Sequence, residues 1–234
     1  NRLGKAMDAQ SGFIANAAHQ LCTPLAALRV QIESALREDE PDRRVRILEQ
    51  AIASLDRTER LANQLLLLAR AETGSEMPSR FIELDLKEIV FEAGATWVPK
   101  ALQQGADLGL EVPDDDVPVY GDPLLLTEIV NNLIDNALRY AGSAPRITLR
   151  VEPGGADQGP SLAIEDDGPG IPVGEWEAVS ERFYRVPGSP GMGTGLGLAI
   201  VREVARAHDA ELTLEQPDAG GLRIRVIFSA RRRH

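Results

Sequence analysis

Between Leu3 and Ala69 the chain carries apolar side chains at helical steps, and one polar break, EDEPD at Glu38 to Asp42, divides them. Before the break no glycine follows Gly12, and Ile14, Leu21, Leu25, Leu28, Ile32 and Ala35 fall at steps of seven, four and three, a heptad seam. After it Val45, Leu48, Ile52, Leu55, Ala62, Leu66 and Ala69 repeat the pattern. Such runs fold as two long helices joined by a short turn, an antiparallel hairpin. A hairpin with one apolar seam cannot cover that seam by itself. A second copy closes it as a four-helix bundle, so the chain is expected to be a homodimer.

The segment FIANAAHQLCTPL, Phe13 to Leu25, puts one histidine on the first helix just before a proline. His19 falls one position after the core register at residue 18, which places it at the seam's edge and within reach of solvent. A lone histidine on an amphipathic helix is more often a packed or solvated side chain. It acquires a role only if the rest of the chain supplies something for it to react with. Pro24 removes the hydrogen bond to the Gln20 carbonyl and is expected to bend the helix one turn beyond His19.

The longest uninterrupted apolar run, LLLLA from Leu65 to Ala69, is far short of the about 18 residues of a membrane span, so no span is expected in this piece, and no signal-peptide pattern opens the chain. Cys22 is the one cysteine, which excludes an internal disulfide. Residues 1–72 hold ten basic and ten acidic side chains, so the whole net charge of −11 falls on the remainder. That acidic surface argues against nucleic acid as a partner. An anionic ligand there needs a metal or a few well-placed arginines.

TGSEMPSR, Thr73 to Arg80, reads as a linker. Beyond it the texture changes to short strands and helices. FIEL is followed by a helix from about Asp85 to Gln103, strands at Asp107–Glu111 and Val117–Tyr120, and a helix opened by Asp122 and Pro123. Strands at Arg146–Val151 and Ser161–Asp166 precede a glycine-punctuated stretch to about Gly193. A helix from Thr194 to about His208 and strands at Glu211–Leu214 and Leu222–Phe228 complete an α+β sandwich with helices on one face of the sheet.

Three places in this second part could hold chemistry. On the helix after Asp122, residues Glu128, Asn132, Asn136 and Arg139 form one polar stripe flanked by Leu126, Ile129, Leu133 and Ala137, so it looks into a crevice beside the core. Asparagine amide oxygens suit a hard cation such as Mg²⁺ that also takes phosphate oxygens, and an arginine can hold a phosphate directly. A solvated helix face is the plain alternative. In SLAIEDDGPGI, strand alternation puts Asp166 on the same face as Leu162 and Ile164. A buried carboxylate needs a donor, which the exocyclic amine of adenine would supply, while Gly168 and Gly170 allow close approach to the backbone; the alternative is an Asp-Gly turn. In MGTGLGLAIV, glycines at 193, 195 and 197 lead into an apolar helix with Thr194 as a candidate cap, and backbone amides at a helix N-terminus bind phosphate. The G-x-G-x-G spacing fits neither a Walker loop nor a dinucleotide fingerprint.

The order of histidine hairpin, NNLIDNALRY, DDGPGI, ERFYR and GTGLGL closely resembles, over nearly the whole chain, the catalytic core of bacterial sensor histidine kinases of two-component systems. The H box stands as AHQLCTPL, the N box as Asn132 to Tyr140, the first glycine box as Asp166 to Ile171, the F box as Glu181 to Arg185 and the second glycine box as Gly193 to Leu198. The resemblance implies an all-α helical hairpin over residues 1–72 for dimerisation and phosphotransfer, forming a four-helix bundle in the dimer. A linker at 73–80 and a catalytic α+β sandwich of the GHKL/Bergerat ATPase type at 81–234 follow. It further implies autophosphorylation of His19 from ATP with Mg²⁺, then transfer to an aspartate on the receiver domain of a response regulator. By the same likeness Asp166 reads the adenine, with Gly168 and Gly170 beside it, and Asn132 and Asn136 sit at the metal and phosphates. Arg139, Tyr140 and Arg185 line the nucleotide or steady its phosphates, Phe183 anchors the lid VPGSPGM, and Gly193, Thr194, Gly195, Leu196 and Gly197 form the second glycine box at the nucleotide. The opening NRLGKAMD resembles the end of a HAMP-type signalling helix, which implies the cytoplasmic portion of an inner-membrane sensor, tethered to the membrane in a longer protein.

The chain departs from that pattern after the histidine, where the family usually has Glu or Asp and this sequence has Gln20. Glutamine orients the imidazole by accepting a hydrogen bond but supplies no negative charge. The same position opens the E-x-x-T phosphatase motif, present here as Gln20 and Thr23. Cys22 reads as a small side chain at the core edge and His208 as structural. Gln20 is also the one feature favouring a pseudokinase scaffold that binds nucleotide and relays signals through the dimer. An ATPase of the gyrase, Hsp90 and MutL group is a third reading, against which the hairpin and the F box argue. Gln20→Glu is expected to raise the initial rate of phosphoryl incorporation at His19; an equal or lower rate would show that the missing charge is immaterial.

Overall fold

The computed structural model describes residues 2–72, 81–155, 158–189, 193–218 and 220–230, and the chain divides into two compact units, Asn1–Ser75 and Glu76–His234. The first unit is a helical hairpin of α1 (Arg2–Arg37) and α2 (Pro41–Glu72). The turn between them is tied by Arg44, whose Nε donates to the Glu38 carbonyl at 2.9 Å, and by the Arg43–Glu38 ion pair at 3.2 Å. α1 runs through Pro24 without a break in its helical assignment.

The seam of this hairpin is not the one the spacing suggests. On α2 the buried stripe is Ala51, Ser54, Thr58, Leu61, Leu65 and Leu68, one residue out of step with the expected one. Val45, Leu48, Ile52, Leu55 and Leu66 instead lie exposed, Ile52 by 60%. On α1 the inward stripe runs through Ala17, Leu21, Pro24, Leu28, Gln31 and Ala35, whereas Ile14, Leu25 and Ile32 face out. Ser54 and Thr58 disguise the true seam because they are polar. Their small side chains let the helices close, and the Thr58 hydroxyl returns to the Ser54 carbonyl of its own helix at 2.8 Å. The hairpin therefore has two adjacent apolar stripes, one closed within the chain and one exposed on both helices.

In the second unit, β1 (Ile82–Asp85) pairs antiparallel with β3 (Pro118–Gly121) as a two-stranded ribbon. The main sheet has the order β2-β4-β5-β7-β6, from β2 (Asp107–Glu111), β4 (Arg146–Glu152), β5 (Ser161–Asp166), β6 (Glu211–Glu215) and β7 (Leu222–Ile227). β2 runs parallel to β4, a pairing that needs a crossover, and α4 (Pro123–Tyr140) lies in that connection. α3 (Leu86–Gln103) and α5 (Gly197–Ala207) join α4 over one face. Alternation along β4 and β7 sends Ile147, Leu149, Val151, Ile224 and Val226 into the core beneath Val90, Ile129, Leu133 and Ile200. The other face carries ion pairs instead, with Arg223 bridging Glu165 at 2.6 Å and Glu215 at 3.4 Å. This is the expected α+β sandwich. Several strand ends differ by one residue, and the largest shift is at α5, which starts at Gly197 rather than Thr194 because Gly195 takes a positive φ of 69° that a right-handed helix does not contain. Among the described residues no helix is long and apolar enough to cross a membrane.

His208 ends α5 and is buried. Its Nε2 accepts the Asp122 N–H at 3.0 Å and its Nδ1 meets the Val204 carbonyl at 2.8 Å, so the ring is neutral with its proton on Nδ1. Burial lowers its pKa below the ordinary histidine value, against an upward pull from Val204, Asp122 and Asp209. A depressed histidine pKa supports the fold above about pH 6.5, and that support is lost as the pH falls and the unfolded chain takes up the proton first. Thermal melts from pH 7.5 to 5.5 are expected to drop more steeply for the parent chain than for His208→Gln, itself less stable at pH 7.5. Parallel slopes would remove His208 as the titrating group.

Candidate functional site

α4 organises the second unit's chemistry. Asp122 caps it, its carboxylate accepting from the Leu124 and Leu125 amides at 2.9 and 3.4 Å, with Pro123 beginning the first turn. Leu126, Ile129, Leu133 and Ala137 bury one side, and the stripe expected beside them becomes a wall. Asn132 is 5% exposed and donates its amide to the Glu128 carbonyl at 2.7 Å. Asn136 is half-buried.

The first turn of α5 rests on this wall. A Cβ at Gly197 would stand 3.1 Å from both amide atoms of Asn136 and 3.5 Å from Asn132 Oδ1. α5 has no side-chain cap, and its opening amides, like those of any helix, lack partners within it. Thr194, expected as the cap, instead accepts a long 3.4 Å contact from the Leu196 amide. Leu196 itself is fully buried. A turn further along α4, Tyr140 touches the glycine run, since a Cβ at Gly193 would run into its hydroxyl and lie 3.9 Å from Arg185 Nε.

The F box is bound into the same cluster through its backbone. Phe183 donates its N–H to the Gly195 carbonyl at 2.8 Å and adopts a φ of 62°, a strained conformation for an aromatic residue. Arg185 Nη2 donates to the Ser189 carbonyl at 3.3 Å. Of the expected lid, residues 190–192 lie outside the described residues.

Asp166 closes the far end. It is half-buried at the end of β5 on the same side as Leu162 and Ile164, and accepts the Gly168 N–H at 3.0 Å. Burial pushes its pKa up to about 6, which the Gly168 N–H opposes and the neighbouring charges of Asp167 and Glu165 reinforce. Gly168 lies against Ala141, immediately after α4, and a Cβ there would clash with that backbone. Gly170, at a φ of 72°, sits under the Gly221 carbonyl, 2.7 Å from where a Cβ would be. From Asn132 to Ala141 the wall spans about 13 Å at about 1.5 Å per residue. Asp166 with Gly168 at one end, and the first turn of α5 against Asn136 and Asn132 further back, are thus set along one helix. Ala141 and Gly221 were missed from sequence because they act through backbone position.

On the first unit, His19 is exposed and Gln20 half-buried, and no hydrogen bond joins their side chains among the described residues. Residue 18, taken as core register, is exposed, and Ala17, Gln20 and Leu21 are the half-buried positions. The Thr23 hydroxyl donates to the His19 carbonyl at 3.0 Å, a contact inside the helix. Cys22 is exposed rather than at the core edge. Elsewhere, a cavity of about 400 Å³ beside α5 and β6 is lined by Trp176, Arg202, Arg206 and Leu212 among others, none of them a candidate residue.

Residues 121–232 match the family described as histidine kinase-, DNA gyrase B- and HSP90-like ATPase, and residues 9–74 match the His Kinase A (phospho-acceptor) domain. The chain is 37% identical over 224 residues to the sensor protein QseC of Salmonella typhi, covering 94% of this chain and 48% of that protein. It is 35% identical over 229 residues to the sensor protein kinase PmrB of Pseudomonas aeruginosa, covering 97% and 47%. The chain thus spans about half the length of the curated relatives it matches. Among solved structures, the Acinetobacter baumannii histidine kinase AdeS shares the fold, with a TM-score of 0.70 at 21% identity over 90% of this chain and 97% of that one. The two family matches, in the order hairpin then sandwich, place the chain among the sensor histidine kinases, whose catalytic core it comprises.

Proposed function

We propose that the chain transfers the γ-phosphoryl group of ATP to His19 and passes it to an aspartate on a response-regulator receiver domain. The observation that carries this reading is the seating of Gly197 on the Asn136 amide with Asp166 at the far end of α4. The residues fit a magnesium-bound triphosphate: two asparagine amides of a kind that suits a hard cation, a helix start without a side-chain cap, and glycines whose missing Cβ lets the backbone come down against α4. Mg²⁺ would lie at Asn132 and Asn136 and neutralise phosphate charge. Arg139, Tyr140 and Arg185 border the nucleotide, and Phe183 ties the lid's root to Gly195.

In the transfer, a neutral imidazole nitrogen of His19 attacks the γ-phosphorus, a P–N bond forms, the bond to the bridging oxygen breaks and ADP leaves. The proton on the other ring nitrogen passes to solvent, because Gln20 can accept a hydrogen bond but not a proton. Positioning and charge neutralisation supply most of the rate. The receiver aspartate then takes the phosphoryl group from the phosphoramidate. Residues 1–72 serve dimerisation and phosphotransfer, 73–80 the link and 81–234 ATP binding. The exposed second stripe of the hairpin supports a homodimer closed as a four-helix bundle. Dephosphorylation of the regulator through Thr23, and tethering to an inner membrane in a longer chain, extend the same reading.

With γ-labelled ATP and Mg²⁺, acid-labile and alkali-stable label is expected on the chain and absent from His19→Ala, which still binds nucleotide. Binding without label would favour a scaffold, and phosphate release without label an ATPase. Asp166→Asn is expected to weaken ATP binding at least about tenfold, the worth of a hydrogen bond to a buried charge. In the parent chain affinity should fall as the pH drops through about 6, where the carboxylate takes up its proton. A raised carboxyl pKa costs the fold stability above that pH. Asp166→Asn should therefore melt higher than the parent at pH 8 without nucleotide, and a lower melting point would show that the carboxylate is not strained.

A further inference from the structure

We propose that Asp135 is a positioning residue that aims Arg139 at the nucleotide phosphates, braced from α3 by Lys100 and Trp97; this rests on reading Arg139 as a phosphate contact. Asp135 lies in the N box, yet it belongs to a different flank of α4 from Asn132 and Asn136. With Asn131, four residues earlier, it faces α3. Trp97 of α3 donates its indole N–H to Asn131 Oδ1 at 2.8 Å. Lys100, one turn on, donates to Asp135 Oδ1 at 2.8 Å and sits 4.4 Å from the centre of the Trp97 ring. The other carboxylate oxygen, Oδ2, accepts from Arg139 Nε at 2.6 Å.

Each oxygen of Asp135 thus holds one cation, and the far cation is anchored on a tryptophan that is only 6% exposed. Burial by itself would raise the Asp135 pKa, but the hydrogen bond from Lys100 and the charge of Arg139 outweigh it and hold the carboxyl below the usual range. A plain i,i+4 ion pair on a helix surface contributes little. This one differs because a second helix fixes the carboxylate, so the carboxylate can fix the arginine. An arginine immobilised only when ligand arrives loses its rotamer freedom at that moment, whereas one held beforehand does not. Arg139 also stands next to Tyr140 and three residues after Asn136, on the turn that borders the glycine run.

The rival account has the opposite sign. If Asp135 merely neutralised Arg139, the guanidinium would have to leave it to reach phosphate, and removing the carboxylate would tighten binding. The test is titration of magnesium–ATP into the 234-residue chain carrying His19→Ala, which prevents turnover. Asp135→Ala is expected to weaken binding about tenfold, the worth of one oriented charge-assisted hydrogen bond, and Asp135→Glu to retain most of the affinity. In an Arg139→Ala background, itself weakened, adding Asp135→Ala should cost nothing more. Tighter or unchanged binding in Asp135→Ala, with Arg139→Ala weakened, overturns the proposal and spares the phosphate-contact reading. Full affinity in Arg139→Ala overturns both. Asp135→Asn, nearly isosteric, replaces the alanine variant if that fails to fold. A lowered melting temperature in Asp135→Asn with unchanged affinity would mark a purely structural role and overturn the proposal as well.

Discussion

Gly197 has no side chain, and that lets the first turn of α5 come down on the Asn136 amide. Much of the second unit's chemistry depends on this contact. It brings the backbone amides of a helix start to the polar side of another helix, so that main-chain donors and asparagine amides share one wall. A methyl group there would meet both amide atoms at 3.1 Å. The same constraint recurs at Gly193 beneath the Tyr140 hydroxyl and at Gly168 beside Ala141. Backbone therefore approaches α4 and its C-terminal end at three levels, and at each a Cβ would force its neighbour to shift.

The acidic balance of the second unit looks ill suited to a polyanionic ligand, but the charge is arranged rather than uniform. Glu165, Glu215, Glu152 and Glu111 pair with Arg150, Arg223 and Arg225 on the sheet face turned away from the helices. The stripe along α4 carries the Asn132 and Asn136 amides beside the Glu128 carboxylate, and Arg139 is paired with Asp135. Among the carboxylates there Asp166 is a costly one, since burial disfavours its ionised form.

How far residues could be read depended on whether neighbours in sequence are neighbours in space. Asn132 and Asn136 were legible as one surface because four residues make about one helical turn. The inward aim of Asp166 was legible because strand alternation has period two. The start of α5 was misplaced by three residues, because Thr194 has cap chemistry while the positive φ at Gly195 keeps the chain out of the helix. The hairpin seam was shifted on α2 because Ser54 and Thr58, polar by type, are buried by position.

The sequence alone determined the order of the elements, the hairpin, the layered sandwich and the candidate residues around the glycine runs, since these follow from local periodicity and from glycine's missing side chain. Only the tertiary structure decided which of two adjacent apolar stripes closes the hairpin, because spacing sets a stripe's period but not the direction it faces. It alone joined Phe183 to Gly195, Gly168 to Ala141 and Lys100 to Asp135. Those pairs are separated along the chain, and their contact depends on how the helices and loops dock over the sheet.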